Sequence, residues 1–193
     1  TAVRNALGER VAYEYNEQDQ LRSVYYPDGS TEHYQYDARG QILEVKAGRR
    51  DDRDSKTPIS TTAPSVRMAY DLWGRLTSRS HAGQHLGFAY DKAGRLTQLT
   101  NENGEHTRFA WDVMDRLSQE TGFDARVQSY EYDAAGQLTK SSDGWAAEQS
   151  LPAHTSHYEW TITGQLAARH LPATELLPAT TQRYEWGKVG ELL

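Results

Sequence analysis

Aromatic and polar side chains alternate along this chain in a short phrase that keeps returning. Its fullest form is Tyr34-Gln35-Tyr36-Asp37-Ala38-Arg39-Gly40-Gln41-Ile42: aromatic, any residue, aromatic, Asp, two free positions, Gly, one free position, Leu or Ile. Phe88-Ala89-Tyr90-Asp91 with Gly94 and Leu96, and Tyr130-Glu131-Tyr132-Asp133 with Gly136 and Leu138, repeat it closely. The phrase can be placed eight times, with its second aromatic at Tyr15, Tyr36, Tyr70, Tyr90, Trp111, Tyr132, Trp160 and Trp186. The first aromatic is Tyr13, Tyr34, Phe88, Phe109, Tyr130, Tyr158 or Tyr184. The intervals are 21, 34, 20, 21, 21, 28 and 26 residues, so a unit of about 21 residues underlies the chain. A fixed period in this range marks a repeat architecture.

Within a unit the local chemistry predicts strand and turn. Tyr-x-Tyr puts both rings on one face of an extended chain, because strand side chains alternate with period two. The Asp (Asp37, Asp71, Asp91, Asp112, Asp133) suits the first position of a type I turn, where its carboxylate accepts a backbone N–H. The Gly (Gly40, Gly74, Gly94, Gly136, Gly164, Gly190) suits the fourth, where a left-handed conformation costs it nothing. The Leu or Ile two residues on begins the return strand, closing a hairpin. A second turn signal lies five residues before each first aromatic: Gly8, Gly29, Gly83 and Gly104, with Ala63, Ala125, Ala153 and Ala179 in the other units. Two strands and two turns per unit chain into an antiparallel β-hairpin meander, an all-β ribbon over residues 1–193. Equivalent rings in consecutive units are then about 10 Å apart, so they interleave with side chains of the intervening strand, such as Val24 and Tyr26, or Leu96 and Leu99.

The departures carry their own expectations. Residues 46–65 interrupt the third interval with charge, Ser, Thr and Pro, and read as a solvated flexible insertion. Residues 142–193 hold more degenerate repeats: Thr161 and Gly187 replace the Asp, and Leu151-Pro152-Ala153 and Leu177-Pro178-Ala179 sit at matched places before Tyr158 and Tyr184. The last two hairpins should be the most irregular, and Glu175-Leu176-Leu177 could form a short helical turn. The chain opens inside one phrase and ends inside another, which reads as a stretch of a longer array.

Composition modifies this picture in one respect. Leu, Ile, Val and Phe make up about 16% of the 193 residues, a level that signals disorder when net charge is also high. Here the formal net charge is only −6, and 15 of the 20 aromatics fall on the repeat positions. Each aromatic buries roughly 150–250 Å², so a patterned set can stand in for an aliphatic core. There are no cysteines, hence neither disulfides nor thiolate metal sites. No apolar run approaches the roughly 18 residues of a membrane span, and no basic stripe suggests nucleic acid.

Candidate chemistry is thin. Catalysis by paired carboxylates needs two acids converging on one substrate, whereas the motif aspartates recur along an array and read as turn caps. Asp51, Asp52 and Asp54 form the densest acidic cluster but are mixed with Arg49, Arg50 and Arg53, as in a solvated loop. His81 and His85, and His154 and His157, have spacings that bind zinc from a helix face, yet both pairs lie in turn or irregular segments. No metal, cofactor or catalytic residue is expected, and no enzyme activity.

The repeated Tyr-x-Tyr-Asp-x-x-Gly-x-Leu resembles the YD repeat of the RHS family, found in bacterial polymorphic toxins, insecticidal toxin complexes and teneurins. It is carried by Tyr34/Tyr36/Asp37/Gly40/Ile42, Tyr70/Asp71/Gly74/Leu76, Phe88/Tyr90/Asp91/Gly94/Leu96 and Tyr130/Tyr132/Asp133/Gly136/Leu138. Phe109/Trp111/Asp112/Leu117 fits with Asp115 in place of Gly. The resemblance implies a curved β-ribbon forming part of a hollow shell, which encloses a C-terminal toxin or cargo polypeptide. It implies a secreted or delivered bacterial effector made in the cytoplasm, whose partners are the rest of the shell, its enclosed toxin, and secretion-system or chaperone proteins. The Asp-Pro-x-x-Gly-type signature of an autoproteolytic region is absent, so self-cleavage is not expected of this stretch. The alternative is an adhesive or carbohydrate-binding surface of a cell-surface YD-repeat protein, with exposed aromatics as the platform.

Overall fold

Hydrogen-bonded neighbours follow chain order throughout the protein, in one antiparallel sheet of sixteen strands. The computed structural model describes residues 2–4, 8, 10–49, 65–145, 154–187 and 189–192. The strands are β1 (Ala2–Arg4), β2 (Arg10–Tyr15), β3 (Leu21–Tyr25), β4 (Ser30–Tyr36), β5 (Ile42–Arg49), β6 (Ser65–Tyr70), β7 (Leu76–His81) and β8 (Gln84–Tyr90). They continue with β9 (Leu96–Thr100), β10 (His106–Trp111), β11 (Leu117–Thr121), β12 (Arg126–Tyr132), β13 (Leu138–Trp145), β14 (His154–Trp160), β15 (Leu166–Leu171) and β16 (Thr180–Arg183). There is no helix among the described residues. Two compact units divide the chain, Thr1–Phe88 with Thr100–Gly104 and Ala89–Leu99 with Glu105–Leu193, and each is built the same way.

In the first unit the hairpins β2–β3, β4–β5 and β6–β7 share one register. Gln35 faces Glu44 but Tyr36 faces Ile42, so the return strand carries one extra residue, Leu43. The same shift falls between Glu14 and Tyr15 and between Ala69 and Tyr70. In the second unit it falls between Ala110 and Trp111, Glu131 and Tyr132, and Glu159 and Trp160. A bulge one residue from each turn increases local twist, and here the motif chemistry places it. The turn's Gly N–H bonds back to the Asp carbonyl (Gly40 to Asp37, 3.1 Å; Gly136 to Asp133, 3.1 Å), while the Asp N–H bonds to the residue after Gly (Asp37 to Gln41, 2.9 Å).

The Gly position needs positive φ in every turn. Gly136 has φ 85°, and where Gly is missing, Asp19 (φ 56°) and Asp115 (φ 61°) adopt the same left-handed conformation. Asp tolerates that region better than most residues, because its short polar side chain bonds locally. On the opposite strand ends, Ala82 (φ 51°) and Gly83 (φ 84°) form a two-residue turn between paired His81 and Gln84, and Ala125 (φ 63°) takes the turn glycine's place.

Three expectations need adjustment. Lys46–Arg49 belong to β5 and Ser65 to β6, so the interruption assigned to residues 46–65 shrinks to 50–64, which lie outside the described residues, as do Ala63 and Asp51, Asp52 and Asp54. The seventh hairpin is as regular as the sixth, because Thr161 replaces the Asp in kind: its Oγ1 accepts the Gln165 N–H at 3.0 Å. Only the eighth contracts, to β16 and one bridge between Trp186 and Leu192. Glu175-Leu176-Leu177 is not helical. Pro172 and Pro178 bracket only five residues, too few to repay helix nucleation, and Thr174 and Leu177 close a bend instead (Thr174 N–H to Leu177 carbonyl, 2.8 Å).

Among the described residues no second layer covers the sheet. Among the described residues only Val24 and Ala168 are buried apolar side chains, and Ser23, Thr31, Glu44 and Thr107 are buried polar ones. Apart from the exposed Tyr15, the motif rings are half-buried by neighbours in the same sheet: Tyr13 lies opposite Val24, and Tyr34 opposite Val45. The residue between the two rings is exposed in each unit, as at Gln35, Ala69 and Glu131, as period-two alternation requires.

Replacing Gly136 by Val should destabilise the chain by more than about 1 kcal/mol, since a β-branched residue at positive φ is strained. Asp19→Gly relieves the same strain and should be neutral to about 1 kcal/mol stabilising. Urea denaturation midpoints of the two variants, moving in opposite directions or only one moving down, check the turn assignment.

Candidate functional site: two ladders that tie repeat to repeat

The second aromatic of each motif does more than pack. Its polar tip donates a hydrogen bond to the backbone carbonyl of the Leu or Ile that ends the previous motif. Tyr36 Oη donates to Leu21 at 2.7 Å and Tyr70 Oη to Ile42 at 3.0 Å. In the second unit Trp111 Nε1 donates to Leu96 at 2.7 Å, Tyr132 Oη to Leu117 at 2.9 Å, Trp160 Nε1 to Leu138 at 2.7 Å and Trp186 Nε1 to Leu166 at 2.7 Å. These carbonyls lie beside the bulge, where the regular ladder is interrupted. Phenol and indole satisfy the same acceptor because each combines an apolar body with one donor at its tip. Burial raises the Tyr36 phenol above its ordinary pKa, keeping it protonated as a donor.

The first aromatic has a different task. Tyr34 Oη donates to Glu32, Tyr130 Oη to Gln128 Oε1 (2.7 Å) and Tyr184 Oη to Gln182 Oε1 (3.1 Å), all two residues back on the same strand. This local bond is dispensable, and Phe88 and Phe109 fill the position without it. The sequence held a signal for the difference: the second position is Tyr or Trp in all eight motifs and never Phe.

A second ladder runs along the turns, made by a position that sequence reading left free. The residue between Gly and Leu is Gln20, Gln41, Arg75, Arg95, Arg116, Gln137, Gln165 or Glu191, always long and polar. Gln41 Nε2 donates to the Gly74 carbonyl at 2.8 Å. Arg95 Nη1 donates to the Asp112 carbonyl at 3.2 Å and Arg116 Nη1 to the Asp133 carbonyl at 3.0 Å. A side chain from one turn therefore lies over the next, and a Cβ on Gly40, Gly74 or Gly164 would stand 2.9, 3.1 or 3.3 Å from its amide nitrogen. Glycine is needed there for φ, and it also leaves room for the overlying amide, which would have to shift for a Cβ.

The motif aspartates sit where the turn chemistry puts them. Asp91 Oδ1 accepts the N–H groups of Ala93 (2.9 Å) and Arg95 (3.0 Å), while its Oδ2 takes Arg95 Nε at 2.7 Å. Asp71 with Arg75 and Asp112 with Arg116 repeat this set, and Asp37 and Asp133 make the backbone half of it with Gln41 and Gln137. The Arg95 side chain and backbone hold the Asp91 carboxyl below its ordinary range. The Arg116 backbone N–H, followed by its guanidinium, does the same for Asp112. Both carboxylates are fully engaged as acceptors, which suits a structural cap and leaves nothing for proton transfer.

The other candidates do not converge. Among the described residues no group of three or more His, Cys, Asp or Glu side chains could hold a metal ion. His81 and His85 flank a two-residue turn, and His154 and His157 lie three apart on one strand and so point to opposite faces. Ser23 Oγ and His33 Nδ1 are 3.0 Å apart, but that hydroxyl is buried, and no acid bonds the other ring nitrogen.

This repeat geometry can be set against known proteins. The family model for the RHS repeat matches residues 1–31, 15–51 and 90–127. These stretches are RHS repeats, and the units between and after them share the same strand-and-turn geometry. Over 100 residues it is 32% identical to the Double-stranded DNA deaminase toxin A of Burkholderia cenocepacia (strain H111), covering 48% of this chain and 7% of that protein. The fold is similar to that in the crystal structure of TcdB2-TccC3-Cdc42 (TM-score 0.71, 14% identity, 93% of this chain and 10% of that one). It is similar as well to TcdB2-TccC3 without its hypervariable C-terminal region (TM-score 0.72, 14% identity, 95% and 10%). A third likeness is to the Photorhabdus luminescens Tc holotoxin pore (TM-score 0.72, 13% identity, 93% and 10%). The chain spans about a tenth of the length of those structures and less of the curated relative. In this chain the two ladders link one such unit to the next.

Tyr132→Phe should cost about 0.5–1.5 kcal/mol, or more where the Leu117 carbonyl is left dry, while Tyr130→Phe, which loses only a same-strand bond, should cost less. Thermal unfolding of the two variants side by side tests the order. The capping carboxylates have a pH signature: their lowered folded-state pKa adds stability that is full above the ordinary value of 3.8 and is lost as pH falls below it. Asp91→Asn should flatten that acid limb of a stability-against-pH curve.

Proposed function

We propose that these RHS repeats form part of the wall of a shell that encloses and shields a polypeptide cargo in a delivered bacterial toxin, and that the chain performs no turnover itself. The observation that carries this reading is the order of strands, which follows the chain, with the aromatic bond recurring at six junctions and the turn bond at three of the described ones. A wall must have few unpaired strand edges and no gaps between units, and sequential pairing meets both needs. The likeness to TcdB2-TccC3, one of whose structures is described by the absence of a hypervariable C-terminal region, supports a conserved frame around a variable content.

The distribution of apolar surface supports the same reading. Leu72, Trp73, Val113, Met114, Ile162 and Val189 are exposed on the Asp-to-Gly turns, and Phe123, Leu176 and Leu177 on the opposite strand ends. Turn tips are ordinarily polar. Apolar side chains at both rims of a ribbon suit lateral packing of one winding against the next, with the sheet faces turned to the chamber and to solvent. The adhesive alternative is less well served: the second ring of the motif, half of any sugar platform, has its polar tip committed to a backbone carbonyl.

The test is protease digestion of the full reading frame that carries these repeats. The enclosed polypeptide should survive while the repeats are folded and become digestible once Gly136→Val weakens them. Equal digestion with and without the repeats would overturn the shell reading, and glycan-array binding by the 193-residue chain would favour adhesion instead.

A further inference from the structure

His33 is the one histidine whose surroundings are set against a positive charge. It stands on β4 directly opposite Ser23 of β3, and opposite Lys46 of β5 on its other side. Its Nδ1 is 3.0 Å from Ser23 Oγ, and its ring meets the Tyr25 ring edge-on, with centroids 6.2 Å apart and planes at 82°. Its Nε2 is buried and has no hydrogen-bond partner. A buried nitrogen without a partner is costly when neutral and far more so when it carries a charged N–H.

The charges facing this ring come from every neighbouring strand. On β3, Arg22 adds positive potential, as does Lys46 on β5. Glu14 on β2 opposes them, but its carboxylate already accepts the Tyr25 hydroxyl at 2.8 Å. Glu44 on β5 is committed to Lys46 (3.1 Å) and to Arg67 of β6 (3.0 Å). Glu32 and Tyr34, adjacent on β4, lie on the other face. No acceptor stands within hydrogen-bond reach of Nε2, whichever neutral tautomer the ring holds.

We propose that His33 is an acid-sensitive latch for β3, β4 and β5: neutral, it closes on Ser23 beneath Tyr25, and protonated, it forces a charge into a site without an acceptor, so that these strands loosen. Partial burial holds its pKa below the ordinary 6.5, with Arg22 and Lys46 acting in the same direction and Glu14 against. The folded state therefore binds its proton less readily than the unfolded one. Stability is full above 6.5 and declines as pH falls below it. At His170, by contrast, the corresponding Nε2 has a hydrogen-bond partner, Glu159 Oε1 at 2.9 Å.

Hydrogen exchange by mass spectrometry on the 193-residue chain, corrected for intrinsic rates, tests this at about pH 7.5 and about pH 5.5. Peptides from β3–β5 should open severalfold more often at the lower pH, while those from β10–β13 do not change. His33→Asn keeps an amide near the Nδ1 position but cannot take a proton, and should abolish the difference. Unchanged β3–β5 protection in the parent chain, or the same loss in His33→Asn, would overturn the proposal. Should the variant not fold, NMR titration of the parent chain decides: the His33 ring must stay neutral to a pH below the ordinary 6.5, and a midpoint at or above that value contradicts the latch.

Discussion

A sheet whose described residues bury few side chains holds its units together by bonds within the sheet, and beside the backbone pairing one side-chain bond recurs from repeat to repeat. It runs from the tip of the second motif aromatic to the carbonyl of the Leu or Ile one repeat back, as in Tyr36 to Leu21 and Trp160 to Leu138. That carbonyl sits beside a bulge, where the strand ladder cannot supply its donor. The ring lies against the neighbouring strand, β4 on β3 and β14 on β13, so one residue supplies apolar cover and satisfies a polar group beside the bulge. Because the acceptor is backbone, the bond survives sequence drift in the partner repeat. Tyr and Trp interchange freely for the same reason.

The turn row is the second constraint and it explains the spacing of the motif. Asp at the first turn position caps two N–H groups, the fourth position must turn left-handed, and the fifth sends a long polar side chain over the next turn. Arg does this with charge and Gln with an amide, and Arg116 also lies over the Tyr132 ring, 4.7 Å from its centroid, joining the two rows. Glycine answers two demands at once at Gly164, a positive φ and room for Gln137. Asp115 shows that the demands separate: it accepts the conformation and offers its carboxylate to Arg95 at 2.6 Å.

The fold was largely legible in the sequence because its determinants are local. Tyr-x-Tyr fixes the face, Asp-x-x-Gly fixes the turn, and the 21-residue period fixes the meander. What escaped was non-local or compositional. The strand over Lys46–Arg49 was hidden because its charged side chains resemble the loop that follows, and its pairing with β4 outweighs that composition. Thr161 looked like a lost cap, yet its hydroxyl accepts the same backbone N–H that an aspartate would. The long polar residue before each Leu looked free, because its partner lies a whole repeat away.

Amide-proton exchange at the indole nitrogens of the five tryptophans tests the central claim most directly. Trp111, Trp160 and Trp186 donate to backbone carbonyls, whereas Trp73 and Trp145 are exposed. The first three Nε1–H signals should exchange far more slowly than the other two. Five indoles exchanging at similar rates would mean that the rings do not fasten one repeat to the next.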